Sequence, residues 1–136
     1  MDETLNIVVV DDEAIVCTRL KPALEKNGYH VETFTSSTLA RQYLEEHAAD
    51  IVITDVKMAD LDGMQLFAFI RDTRPQTRVI IISGFATVEL TREAFQAGAC
   101  DVITKPFKIS QLKDLVGRVA AEIHGAGESA DDRGGG

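Results

Sequence analysis

Short, nearly unbroken apolar runs alternate along the chain with segments whose apolar residues recur at helical spacing. Residues 5–10, 51–54 and 79–82 read as strands buried on both faces, because a strand with one wet face would alternate apolar and polar residues. Residues 30–34, with Val31, Thr33 and Phe34, form a weaker run of the same kind. Residues 101–104, around Val102 and Ile103, form a fifth.

Between these runs the period becomes helical. It is clearest over residues 110–124, where Leu112, Leu115, Val116, Val119, Ala120 and Ile123 make one stripe. Ser110 suits the N-cap of that helix, and Gly117 inside it costs roughly 1 kcal/mol relative to alanine. Leu39, Ala40, Tyr43 and Leu44 mark a helix that Ser37 could cap. Leu66, Phe67 and Ile70 mark another, and Thr91, Ala94 and Phe95 a shorter one. The first helix, about residues 14–26, carries Val16, Leu20 and Leu24. Pro22 breaks its pattern: an interior proline removes one backbone hydrogen bond, so either a kink or a restart is expected there. Asn27-Gly28 then supplies a left-handed helix end.

Five strands alternating with five helices predict (βα)₅. Right-handed crossovers make that a doubly wound α/β fold, a parallel five-stranded sheet with helices on both faces. One domain over residues 1–124 accounts for all of these elements. Residues 125–136, with five glycines, three acids and no apolar period, are expected to be a disordered tail.

Composition narrows the function. Apolar residues make up 45% of the chain, which argues against intrinsic disorder. With 14 basic and 22 acidic residues the net charge is −8, the wrong sign for direct grip on nucleic acid. The same charge permits a divalent cation or a basic protein partner. No apolar run approaches the roughly 20 residues that cross a bilayer. Cys17 and Cys100 have no metal-ligand spacing and read as small core-filling thiols. With no signal-like N-terminus, a reducing cytoplasm is expected. His30, His47 and His124 share no site; His124 is expected in a last helical turn, where its charge would favour the helix end.

The chemistry sits where strands end. Open parallel sheets build their sites at the carboxyl ends of strands, near a switch in strand order. Asp11 and Asp12 directly follow the first run, Asp55 the third, and Lys105 the fifth; Ser83 closes the fourth. If the first, third, fourth and fifth strands are neighbours, these side chains converge on one rim. Gathered carboxylates repel, and a hard dication such as Mg²⁺ relieves that repulsion through oxygen ligands. An aspartate can itself accept a phosphoryl group, with a lysine and a hydroxyl to hold the phosphoryl oxygens. Singly, each residue has a plainer reading: the aspartates as loop or helix-cap groups, with Asp12 or Glu13 capping the first helix, Lys105 as a surface lysine, and Ser83 as a cap.

Taken in order, Val9-Val10-Asp11-Asp12-Glu13, Ile53-Thr54-Asp55-Val56-Lys57-Met58, Asp62-Gly63, Ile82-Ser83-Gly84, Gly98-Ala99 and Thr104-Lys105-Pro106-Phe107 resemble the receiver domain of two-component response regulators. The likeness spans about residues 5–124. It implies a flavodoxin-like fold with strand order 2-1-3-4-5. It further implies that Asp55 takes a phosphoryl group from a sensor histidine kinase or phosphotransfer protein, so that the domain catalyses only its own phosphorylation and dephosphorylation. Asp11, Asp12, Asp55 and the Lys57 backbone carbonyl would hold Mg²⁺, while Ser83 and Lys105 would bind phosphoryl oxygens. Lys105-Pro106 would be a cis peptide. The output face would be the fourth helix, fifth strand and fifth helix, and residues 86–124 could pair two copies.

Two positions depart from the family pattern. Ala59 stands where proline usually follows the methionine, a change expected to affect only loop stiffness. Val102 stands where an aromatic ring usually turns inward during switching; its single stiff rotor cannot repeat that motion. Phe85 or Phe107 is therefore a candidate for part of the coupling, and Lys57 and Phe85 for tuning water access at Asp55. Val102 also keeps an alternative open, a degenerate receiver that binds a protein partner without phosphorylation. An aspartyl phosphohydrolase like the haloacid dehalogenases is disfavoured, because Lys57 occupies the place of the second aspartate those enzymes use.

Overall fold

The computed structural model describes residues 4–57, 62–84 and 87–135, with side chains to residue 125. Within them the order is β1 (Asn6–Val10), α1 (Ala14–Glu25), β2 (His30–Phe34), α2 (Ser37–Glu46), β3 (Ile51–Asp55), α3 (Gly63–Thr73), β4 (Arg78–Ser83), α4 (Val88–Ala97), β5 (Asp101–Thr104) and α5 (Ile109–Gly135). All strand pairs are parallel and the sheet order is β2-β1-β3-β4-β5. The fold is the (βα)₅ arrangement expected from the alternation, in the flavodoxin-like strand order that the resemblance implied.

The apolar runs do not alternate with polar residues because the sheet has no wet face. Successive side chains point to opposite sides. Ile7, Val9, Ile53, Ile80 and Ile82 meet Leu20 and Leu24 of α1 and Leu112 and Val116 of α5. Val8, Val10, Val52, Val79 and Ile81 meet Leu44 of α2, Leu66, Phe67 and Ile70 of α3, and Ala94 of α4. At roughly 25 cal/mol per Å² of apolar surface removed from water, these two layers are the main stabilising term. Cys17 is buried and Cys100 half-buried, both outside any disulfide and packed in the first layer.

Several helix ends differ from the sequence expectation. Ser36, not Ser37, caps α2: its extended backbone lets Oγ accept from Leu39 N at 3.2 Å, while Ser37 is buried inside the first turn. Two adjacent serines are equivalent as caps in sequence, and burial selects between them. Ser110 does not cap α5, which starts one residue earlier at Ile109. In α4 only Ala94 is buried, and Phe95 stays 46% exposed rather than joining the core. Pro22 lies within the unbroken α1, three residues before its end. It and Thr18 are exposed, so water can reach the carbonyl that proline leaves unpaired. Gly28 has φ +94°, as the helix end requires.

The last helix departs most. Residues 125–135 continue α5 instead of forming the expected disordered tail, so His124 is not in a last turn. Extending an existing helix adds one hydrogen bond per residue with no new nucleation, and apolar periodicity does not register such a segment. No core residue among the described ones lies beyond Ile123. A chain ending at His124 is therefore expected to keep its Tm within about 2 °C, less than the ~4 °C that a loss of 1 kcal/mol would give. A larger fall in calorimetry would mean that the extension packs on the domain.

Candidate functional site

The strand order places the ends of β1, β3, β4 and β5 side by side. Asp11 follows β1 and donates its backbone N–H to Phe34 O at 3.0 Å. Asp55 is the last residue of β3, which runs one residue further than the sequence pattern suggested, and it pairs in register with Ile82. Ser83 ends β4 beside Thr104, and Lys105 N donates to Ser83 O at 2.7 Å. All the rim residues expected from sequence therefore meet. A cleft of about 190 Å³ is lined by Asp12, Glu13, Asp55, Lys57, Ser83 and Lys105.

Within the cleft, one carboxylate oxygen each from Asp11, Asp12 and Asp55 lies within 4.8 Å of the others. Asp11 is fully buried, Asp55 nearly so, and Asp12 exposed. Lys105 Nζ sits among the acids, 2.7 Å from Asp11 Oδ2, 2.7 Å from Asp55 Oδ2 and 2.9 Å from Glu13 Oε1. It donates hydrogen bonds to Asp55 and Glu13. Its approach to Asp11 is close but poorly directed, leaving Asp11 Oδ2 buried without a hydrogen-bond partner among the described residues. Asp11 Oδ1 accepts from Glu13 N at 2.8 Å, and Asp55 Oδ1 from Lys57 N at 3.1 Å.

These contacts set the charge states. Burial raises the Asp11 carboxyl above its ordinary pKa, and the Asp55 charge adds to the rise against the opposing pull of Lys105. For Lys105, burial alone would lower the ammonium; the carboxylates of Asp11, Asp55 and Glu13 outweigh it and raise the pKa. Burial also raises the Cys17 thiol, which leans on the Asp11 carbonyl at 3.6 Å and stays a protonated packing group.

Three carboxylates that converge, with an Asp11 oxygen buried without a directed hydrogen bond, fit a small dication that prefers carboxylates and water. Lys105-Pro106 is cis, as the resemblance implied. A model of the response regulator receiver domain matches residues 7–117. The chain belongs to the response regulator receiver domain family. The transcriptional regulatory protein ZraR of Escherichia coli (strain K12) is 32% identical over 122 residues, 90% of this chain and 28% of that protein. The DNA-binding transcriptional regulator NtrC of Rhizobium meliloti (strain 1021) is 33% identical over 116 residues, 85% of this chain and 24% of that protein. This chain thus spans well under a third of these two relatives. The crystal structure of a response regulator receiver domain protein from Clostridium thermocellum superposes with a TM-score of 0.80 at 30% identity, over 88% of this chain and 97% of that one.

Two features of this receiver domain were not apparent from sequence. Glu13, which with Asp12 was one of two alternatives for a plain cap of the first helix, makes no side-chain cap bond and instead binds Lys105. Gly63 starts α3 directly against the end of β3: a Cβ there would overlap the Asp55 carbonyl oxygen and lie 2.7 Å from Val56 Cα. Gly63 N also donates to Val56 O at 2.8 Å, and Asp62 and Gln65 close a capping box around the turn. The Asp62-Gly63 pair was the only sequence signal for this close approach. Met58, Ala59 and Phe85 lie outside the described residues. Val102 is half-buried at the margin of the second apolar layer.

The clash at Gly63 is with backbone, which cannot swing aside. Gly63→Ala is expected to cost about 1–3 kcal/mol of stability, the usual range for overpacking. Urea unfolding measures it, with Gly117→Ala, which meets nothing within 4 Å, as the comparison. Equal stability of the two variants would refute the close-packing role.

Proposed function

We propose that this receiver domain is a phosphorylation-operated switch in which Asp55 accepts a phosphoryl group. The observation that carries the reading is the convergence of Asp11, Asp12 and Asp55 with Lys105 Nζ 2.7 Å from the acceptor carboxylate. The donor is the phosphohistidine of a sensor histidine kinase or phosphotransfer protein. In the transfer the phosphorus–nitrogen bond breaks, a bond forms to an Asp55 carboxylate oxygen, and the histidine nitrogen regains its electron pair.

Asp11, Asp12, Asp55 and the Lys57 carbonyl would hold Mg²⁺. When bound, that ion offsets the negative charge of the transferring group. Lys57 N–H fixes the rotamer of Asp55 through Oδ1. Lys105 binds a phosphoryl oxygen after releasing its carboxylates, and the Ser83 hydroxyl, at the end of the neighbouring strand, binds another. The domain acts on no other substrate in this reading. A groove of about 690 Å³ beside the site, lined by Ile15, Val16, Leu20, Phe107 and Ile109 with Arg19 and Lys108, offers an apolar bed for the donor protein.

The added charge biases the output face formed by α4, β5 and α5, where two copies could pair. Val88 and Phe95 leave apolar surface exposed on α4. The acidic balance supports a protein partner rather than nucleic acid for this domain. Among the described residues no helix is long and apolar enough to cross a membrane, and a cytoplasmic setting follows from the proposed chemistry. Val102 supports the second reading, a module that binds its partner without phosphorylation; such a module need not bind Mg²⁺.

Incubation with acetyl phosphate and Mg²⁺ is expected to add one phosphoryl group, seen by intact mass spectrometry, and none to Asp55→Asn. Equal labelling of that variant, or none of the wild type, would sink the assignment. Lys105→Met is expected to bind Mg²⁺ more tightly than wild type, because the ammonium no longer competes for Asp11 and Asp55, yet to accept phosphoryl groups more slowly. Calorimetric titration and a labelling time course separate these effects; a fall in Mg²⁺ affinity would contradict the competition.

A further inference from the structure

Lys105 presents a conflict that the phosphoacceptor reading does not resolve. Its ammonium lies 2.7 Å from Oδ2 of both Asp11 and Asp55. Those two carboxylates belong to the cluster that fits a dication. An ammonium and a dication cannot share the same oxygens closely, because their repulsion is strongest where water is scarce. Lys105 must therefore withdraw when the metal enters, yet remain near enough to meet a phosphoryl oxygen later.

Glu13 is placed to hold it. Glu13 Oε1 accepts a hydrogen bond from Lys105 Nζ at 2.9 Å, but its carboxylate lies outside the three-acid cluster. Its side chain is 60% exposed, against none for Asp11, so it can follow the lysine outward. Its backbone is tied at the other end, where Glu13 N donates to Asp11 Oδ1. Four carboxylates can then accommodate a dication and an ammonium together without excess positive charge.

We propose that Glu13 is a positioning residue that takes over Lys105 when Mg²⁺ occupies Asp11, Asp12 and Asp55. This rests on the metal reading of the site given above. In the metal-free state Glu13 shares the ammonium with two aspartates. In the metal-bound state it is the ammonium's principal partner. Its interaction with Lys105 is thus stronger with metal than without, and only such a difference can shift metal affinity.

The test is a double-mutant cycle on the Mg²⁺ dissociation constant, by calorimetry on the full chain at fixed ionic strength. It compares wild type, Glu13→Gln, Lys105→Met and the double variant, with circular dichroism confirming that each is folded. A pair with one exposed partner is modest, so Glu13→Gln is expected to weaken Mg²⁺ binding about three- to five-fold when Lys105 is present. In the Lys105→Met background the same change is expected to weaken it less than about two-fold. Equal factors in both backgrounds would mean that Glu13 acts only as a nearby negative charge, and no change in either would leave it no part in metal binding; both overturn the proposal. If wild type binds no Mg²⁺, the metal reading itself falls, and that outcome is distinct from a wild type that binds with no coupling between the two residues.

Discussion

The contact of the Lys105 ammonium with Asp11, Asp55 and Glu13 is the interaction on which the rest of the site depends. Buried acids repel one another and resist ionisation, and an unpaired buried charge costs about 3–5 kcal/mol when its partner is removed. Lys105 makes it tolerable to fold a fully buried Asp11 and a nearly buried Asp55 at one end of the sheet. It does so incompletely, since Asp11 Oδ2 still lacks a directed hydrogen bond. The site is therefore held together in a form that a dication can improve.

The fold makes that contact possible by simple means. A parallel sheet covered on both faces forces its central strands β1, β3 and β4 to be largely apolar, so their charged residues gather at the ends, while the edge strand β2 carries Glu32 and Thr33 within its length. Register then decides which ends meet. Asp55 aligns with Ile82, and Ser83 with Thr104, so carboxylate, hydroxyl and lysine occupy neighbouring strand ends. Gly63 lets α3 begin against the Asp55–Val56 backbone and keeps that end of the sheet closed. Stability and chemistry draw on the same geometry, but on different residues: isoleucines and valines fill the layers, and the acids and Lys105 line the rim.

Away from the rim, β5 departs from the family pattern at one position. Val102 packs half-buried where the family usually places an aromatic ring, and the exposed apolar residues of α4, Val88 and Phe95, lie on the adjacent helix. A valine has one stiff rotor and no ring to turn, so the ring rotation that the family pattern implies has no counterpart at this position.

Much of this was legible in the residues alone. Unbroken apolar runs alternating with helical stripes determined the fold class, since only a sheet buried on both faces needs such strands. Strand-end placement picked out Asp11, Asp12, Asp55, Ser83 and Lys105 as candidates. What sequence could not settle were choices between equivalent neighbours and contacts between distant segments. Ser36 rather than Ser37 caps α2 because burial separates two like residues. Phe95 is exposed because α4 turns only Ala94 into the core. The helical course of residues 125–135 arises from propagation, which leaves no apolar period to read. Glu13 meets Lys105 across 92 positions of chain, and Gly63 meets the Asp55 carbonyl through a lack of side chain. Local pattern reports which face a residue prefers; only the packed structure decides which charge or backbone atom it faces there.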